Sequence, residues 1–137
     1  MSSPWNPPDV GEIVWCHFPE LPSVDPRPKP GPALVVQVTI RDDGVIVSVV
    51  YGTSQRVDRL KSGEFAIRKT HDPAAFMLAG ASFNTKFDFN QIVDLPWSET
   101  FFKIPPRAAH GQRPRLGILH ASMMRSARAA YLAATRN

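Results

Sequence analysis

A chain of 137 residues with 43% hydrophobic content suits one compact domain, residues 1–137, with a modest core, and leaves no room for a second. Its formal charge of +4 favours an anionic partner, either a nucleic acid or an acidic peptide. One cysteine, Cys16, excludes an internal disulfide; no Cys/His cluster has zinc-ligand spacing, and no apolar run approaches the ~20 residues that cross a bilayer, so the chain reads as cytoplasmic, without cofactor, metal or membrane.

Residues 1–10 have neither the basic start nor the apolar core of a leader and read as a flexible N-terminus. Glu12-Ile13-Val14-Trp15-Cys16-His17-Phe18 then has the β-branched and aromatic content of a strand. Prolines at 19, 22, 26, 28, 30 and 32 push the next segment into an extended, exposed loop that carries Arg27 and Lys29. Residues 32–55 form the centre of the chain: two β-branched runs flank Asp43-Gly44, which predicts a hairpin with a two-residue turn. The second run ends in Tyr51-Gly52-Thr53-Ser54-Gln55, where apolar character stops and a polar cluster, followed by Arg56, is delivered to one edge of the sheet.

Residues 63–68 alternate like a short strand. Asp72-Pro73 predicts a brief helix to Ala79, with Asp72 as its cap, Pro73 at the first helical position and Gly80 as its stop. Further on, Phe83, Thr85, Phe87, Phe89, Gln91, Val93 and Leu95 alternate with Asn84, Lys86, Asp88, Asn90 and Asp94, predicting a strand with one packed and one polar face. Lys86 and Asp88 share the polar face with Cα atoms ~6.6 Å apart, within reach of one ligand. A second proline-punctuated loop, residues 97–115, holds Lys103, Arg107, His110, Arg113 and Arg115. Residues 116–120 read as a last strand, and 122–135 as a helix that packs through Met123, Met124, Ala127, Ala130, Tyr131 and Ala134, with Arg125 and Arg128 opposite. Together these elements predict a mainly β fold: a small SH3-like barrel of about five antiparallel strands, with a short helix and a C-terminal helix.

Gly11-Glu12-Ile13-Val14-Trp15, then Gly31-Pro32-Ala33-Leu34-Val35-Val36, then Thr53-Ser54-Gln55 follow the order in which the MazF/PemK toxins of bacterial type II toxin-antitoxin systems carry similar motifs. Leu116-Gly117-Ile118-Leu119 before a Met-bearing helix is similar to the end of that family, so the resemblance spans most of the chain. It implies an SH3-like barrel, a homodimer, an acidic and partly disordered antitoxin, and a metal-independent endoribonuclease that cuts single-stranded RNA to a cyclic phosphate and a 5′-hydroxyl. The 8 phenylalanines and 3 tryptophans, a large apolar load for so short a chain, also favour a homodimer.

Attack of a ribose 2′-oxygen on the adjacent phosphate needs a base, an acid and positive donors around the developing charge. In the family an arginine directly before the Pro-Ala-type dipeptide supplies charge and acid chemistry, and a threonine in a Thr-x-Gln-like turn holds the phosphate. Thr53 matches the threonine, but Gly31 stands where the arginine belongs. Some PemK-like members use an Arg-x-Asp pair on the later strand, to which Lys86-Phe87-Asp88 is similar. The resemblance therefore implies Thr53, Lys86 and Asp88 as catalytic residues and Arg27, Lys29, Ser54, Gln55, Arg56, Lys103 and Arg107 as RNA- or antitoxin-binding residues.

The same residues have plainer readings. Lys86 and Asp88 also fit an exposed ion pair of little energetic worth, and Thr53-Ser54-Gln55 an ordinary polar turn. Trp97, Phe101 and Phe102 suit either base stacking or cover for the end of the barrel, and the four histidines read as structural or solvated. The alternative functions are a non-catalytic barrel that binds a protein target, as CcdB toxins bind gyrase, one that binds RNA without cutting it, and a phage or host accessory protein.

Overall fold

The computed structural model describes residues 3–21, 28–106 and 113–136. Six strands, β1 (Glu12–Cys16), β2 (Gly31–Arg41), β3 (Gly44–Thr53), β4 (Glu64–Ile67), β5 (Thr85–Pro96) and β6 (Arg115–Ile118), form one antiparallel sheet in the order β4-β5-β3-β2-β1-β6. Helix α1 (Pro73–Leu78) lies between β4 and β5, and a 3-10 turn (Ala121–Met123) leads into the C-terminal helix α2 (Met124–Ala134). This is a small mainly β, barrel-like fold with two short helices. The sixth strand is the short β6, which pairs along β1. Among the described residues no helix is long and apolar enough to cross a membrane.

The central hairpin is β2–β3. Its ladder closes at Arg41↔Gly44, so Asp42 and Asp43 form the turn, one residue earlier than Asp43-Gly44, and Gly44 opens β3 at φ +144°. The hairpin's apolar runs are nearly unbroken because both of its faces are covered. On one side Leu34 and Val50 join Ile13, Phe65, Phe76 and Phe87 beneath the two helices. On the other, Val35, Val47 and Val49 join Val14, Cys16, Trp97 and Phe102. Trp5 packs against this second cluster, and Trp97 Nε1 donates to the Trp5 carbonyl at 2.9 Å, which ties residue 5 to the sheet. Buried here, the Cys16 thiol has its pKa pushed far above the usual range by desolvation.

Strand β5 is bent. Val50 pairs with Ile92 but the next residue, Tyr51, pairs with Asp88, so residues 89–91 leave the β3 ladder, and Phe89 N–H donates instead to the Gly63 carbonyl at 2.8 Å. The first half of β5 is thus clamped between the end of β3 and β4.

The helices follow their sequence signals with two changes. Pro73 opens α1 and Gly80 turns out of it at φ +68°, but the Asp72 carboxylate accepts from Arg68 N–H at 3.2 Å rather than from the helix. Met123 at the end of the 3-10 turn and Ala127 and Ala130 in α2 are buried, whereas Met124 and Tyr131 lie outside this narrow stripe and are exposed. Tyr131 keeps an edge-on contact with Phe89, with ring centroids 5.8 Å apart.

The end of α1 and strand β6 meet backbone to backbone. A Cβ on Gly117 would collide with the Leu78 carbonyl, and one on Gly80 with the Leu116 carbonyl. Gly117→Ala is therefore expected to lower stability by about 1–3 kcal/mol, because backbone rather than a movable side chain has to yield. Gly31→Ala, whose Cβ would meet nothing closer than 3.8 Å, should leave stability unchanged or slightly raised. Urea unfolding of the two variants beside the natural protein checks both outcomes.

Candidate functional site

The edge of the sheet where β2 begins and β3 ends is open. Pairing runs from Leu34↔Val50 to Ala33↔Tyr51, so Gly31 and Thr53, two residues further along their strands, close the same end of the ladder. Around it lies a cleft of about 510 Å³ lined by Lys29, Gly31, Thr53, Ser54 and Gln55, by Trp15 and Tyr51, by Ser82, Phe83 and Thr85, and by Pro105, Pro106 and Leu116. The polar cluster after β3 is held in a tight turn, since Thr53 Oγ1 accepts from Gln55 N–H at 3.2 Å. Arg56 follows at φ +52°, a left-handed conformation that turns the chain sharply away from the cleft.

The chain beyond Arg56 folds back over β4 and the first half of β5. Arg68 Nη2 donates to the Val57 carbonyl at 2.7 Å, and Asn90 Nδ2 to the Ser62 carbonyl at 2.8 Å. Beneath this cover is Lys86, only 6% exposed, with Nζ 3.1 Å from Glu64 Oε1 and 3.2 Å from the Arg59 carbonyl. The same Glu64 oxygen accepts from Lys61 N–H at 2.6 Å.

The expectation for Lys86 and Asp88 is corrected accordingly. Their face of β5 is polar, as alternation predicts, but at Lys86 it is buried rather than open. Lys86 pairs with Thr53 in the β3–β5 register, yet its ammonium points to Glu64 and away from the cleft lining. Asp88 Oδ1 accepts from both Asn90 N–H and Nδ2 at 2.9 Å, which supports the bend in β5, and Asp88 does not line the cleft either. Of the three residues carried over as catalytic, Thr53 alone reaches it.

The binding residues divide in the same way. Lys29, Ser54 and Gln55 line the cleft, and Arg56 is exposed just beyond it. Lys103 is exposed beside His17, where burial, and next the Lys103 charge, hold the imidazole pKa below its usual value. Arg27, Arg107 and His110 lie outside the described residues. Trp97 and Phe102, with ring centroids 4.7 Å apart, are buried in the second core cluster and cover the sheet instead of offering their faces to a ligand. His120 Nδ1 accepts from Ser122 N–H at 3.0 Å at the start of the 3-10 turn. Among the described residues that line the cleft there is no carboxylate, imidazole or guanidinium, and Lys29 is the one cation.

Alternation assigned Phe83 to the packed face, yet its ring is 70% exposed at the rim of the cleft. The strand starts two residues later, at Thr85. The signal in the sequence was Gly80-Ala81-Ser82 just before it, a stretch that leaves a helix without yet entering a sheet.

No protein-family model matches this chain, and a search of the curated proteins finds no match.

The Lys86–Glu64 pair has a measurable consequence. Lys86→Ala leaves the Glu64 carboxylate buried without its cation and should cost about 3–5 kcal/mol. Replacing both charges, as Glu64→Gln with Lys86→Met, should recover most of that loss. Chemical denaturation of the single and double variants measures the difference, and equal stability of Lys86→Ala and the natural protein would show that the ammonium carries no such load.

Proposed function

We propose that this chain is a MazF/PemK-like toxin barrel that binds single-stranded RNA in the cleft between the start of β2 and the end of β3, and that it cuts RNA weakly. One observation carries the reading: Lys29, Thr53, Ser54 and Gln55 converge on a single cleft with Gly31, the position that holds an arginine in the family it resembles. The ammonium of Lys29 suits a phosphate, and the hydroxyls of Thr53 and Ser54 with the Gln55 amide suit phosphate oxygens and base edges. The excess of positive charge on the chain supports the same class of ligand.

Weak cutting follows from what the cleft offers. Among its described residues no carboxylate or imidazole is present to take the 2′-hydroxyl proton, and Lys86 is committed to Glu64. Losing one transition-state donor typically costs ~10²–10³ in rate. Position 31 still accepts a side chain, because its backbone is outside the left-handed region and a Cβ there has no atom nearer than 3.8 Å. An acidic antitoxin would compete with RNA for the same cations.

Fluorescence anisotropy with a labelled single-stranded RNA should show binding that weakens steeply as salt rises, and that is reduced by Lys29→Glu. With EDTA present, the natural protein should release cyclic-phosphate ends slowly, and Gly31→Arg should raise that rate by ~10². RNA that is bound but cut by neither protein would leave the binding half of the proposal standing alone. RNA that is neither bound nor cut at low salt would end it.

A further inference from the structure

We propose that Phe83 is the base-stacking residue of this cleft, holding one unpaired nucleobase of the RNA against its exposed ring. The inference rests on the RNA-binding reading and adds to it the group that receives a base. Phe83 is 70% exposed, and among the described residues it is the one strongly exposed large apolar side chain that lines the cleft. The comparably exposed Ile40 and Met77 are aliphatic and lie elsewhere. A single exposed ring is ordinary on a protein surface; what marks Phe83 is that it shares a cleft with a cation and hydrogen-bonding groups, where a bound ligand would cover it.

The ring is also presented from a firmly held backbone. Thr85 Oγ1 donates to the Phe83 carbonyl at 2.8 Å, and the neighbouring Asn84 Oδ1 accepts from Lys69 N–H at 2.8 Å. Upstream, Gly80 is locked against Leu116 by the close approach of α1 and β6. Stacking on Phe83 therefore has to immobilise only the ring itself, which keeps its entropic cost low.

The chemistry around the ring points to a nucleotide rather than to a purely apolar ligand. A flat π-face shares one cleft with the Lys29 ammonium and the hydroxyl and amide groups of residues 53–55, the combination that takes a base and its phosphates together. Every base has such a face, so the contact tolerates sequence, and purines, with the larger surface, should be favoured at this site.

The test uses the full-length protein and a short single-stranded RNA bearing one 2-aminopurine, moved along the strand. At one position the natural protein should quench the fluorophore, and Phe83→Trp should preserve both quenching and affinity. Phe83→Ala and Phe83→Leu should each lose the quenching and about tenfold in affinity, the size of one stacked base. Because the ring is exposed, all three variants should melt like the natural protein. Phe83→Ala should leave the salt dependence of binding unchanged, whereas Lys29→Glu should make it shallower. If Lys29→Glu weakens binding but Phe83→Ala binds and quenches like the natural protein, the stacking proposal fails and the cleft reading survives. If both variants bind RNA as the natural protein does, or if the natural protein binds none at low salt, both fail. Equal affinity of Phe83→Leu and the natural protein would reduce the ring to an apolar contact and overturn the assignment of stacking.

Discussion

Taking the Lys86 ammonium and the Glu64 carboxylate out of water costs several kcal/mol for each ion, and their mutual attraction offsets that only when the remaining hydrogen-bonding capacity is met. Here it is met by the backbone: the Arg59 carbonyl accepts from Lys86, and Lys61 N–H donates to Glu64. Both groups belong to the segment that follows Thr53-Ser54-Gln55. The charges therefore hold that segment down on β4 and β5, and in doing so fix the direction in which the polar turn leaves β3. Removing the ammonium would release the segment that follows the polar turn. Among the described residues no buried side-chain nitrogen or oxygen lacks a partner, this pair included.

The second constraint is that a sheet with both faces buried leaves little of itself open. Helices α1 and α2 cover one face of the β2–β3 hairpin, and Trp5, Trp97 and Phe102 cover the other. The cleft lies at an accessible end of the strands, where the β2–β3 ladder stops. There the backbone presents Lys29 just before one strand and residues 53–55 where its neighbour ends, a juxtaposition that follows from the antiparallel register of one hairpin. The glycine-lined contact of the short α1 with β6 lies a few residues before Phe83, which lines the cleft.

This arrangement suits holding an anionic, partly flat ligand better than transforming it. Binding needs a cation, hydrogen-bond groups and an apolar ring, and Lys29, residues 53–55 and Phe83 line the cleft. Cleavage through a 2′-oxygen needs in addition a proton acceptor and a strong donor at the phosphorane. Gly31 offers no such donor, and a Cβ there would meet no atom nearer than 3.8 Å.

Much of the fold was legible in the chain because its signals are local. The β-branched runs on either side of the Asp42-Asp43 turn, Pro73 and Gly80 at the ends of α1, and the apolar spacing of residues 123, 127 and 130 each act within a few residues. The polar cluster at residues 53–55 was legible for the same reason, and hairpin register alone carries it to the sheet edge beside Gly31. Period-2 alternation correctly put Lys86 on the face opposite Phe87. It carried no information on what would lie over that face, since the cover comes from residues some thirty positions earlier and is held by Glu64 and Arg59. The bend at residues 89–91 depends likewise on Gly63, which takes Phe89 out of the β3 ladder. Local chemistry determined which residues form strands, turns and caps; which polar face is closed and which apolar ring is left open was decided by long-range packing, because burial is a property of what comes to lie above a residue and not of its neighbours in the chain.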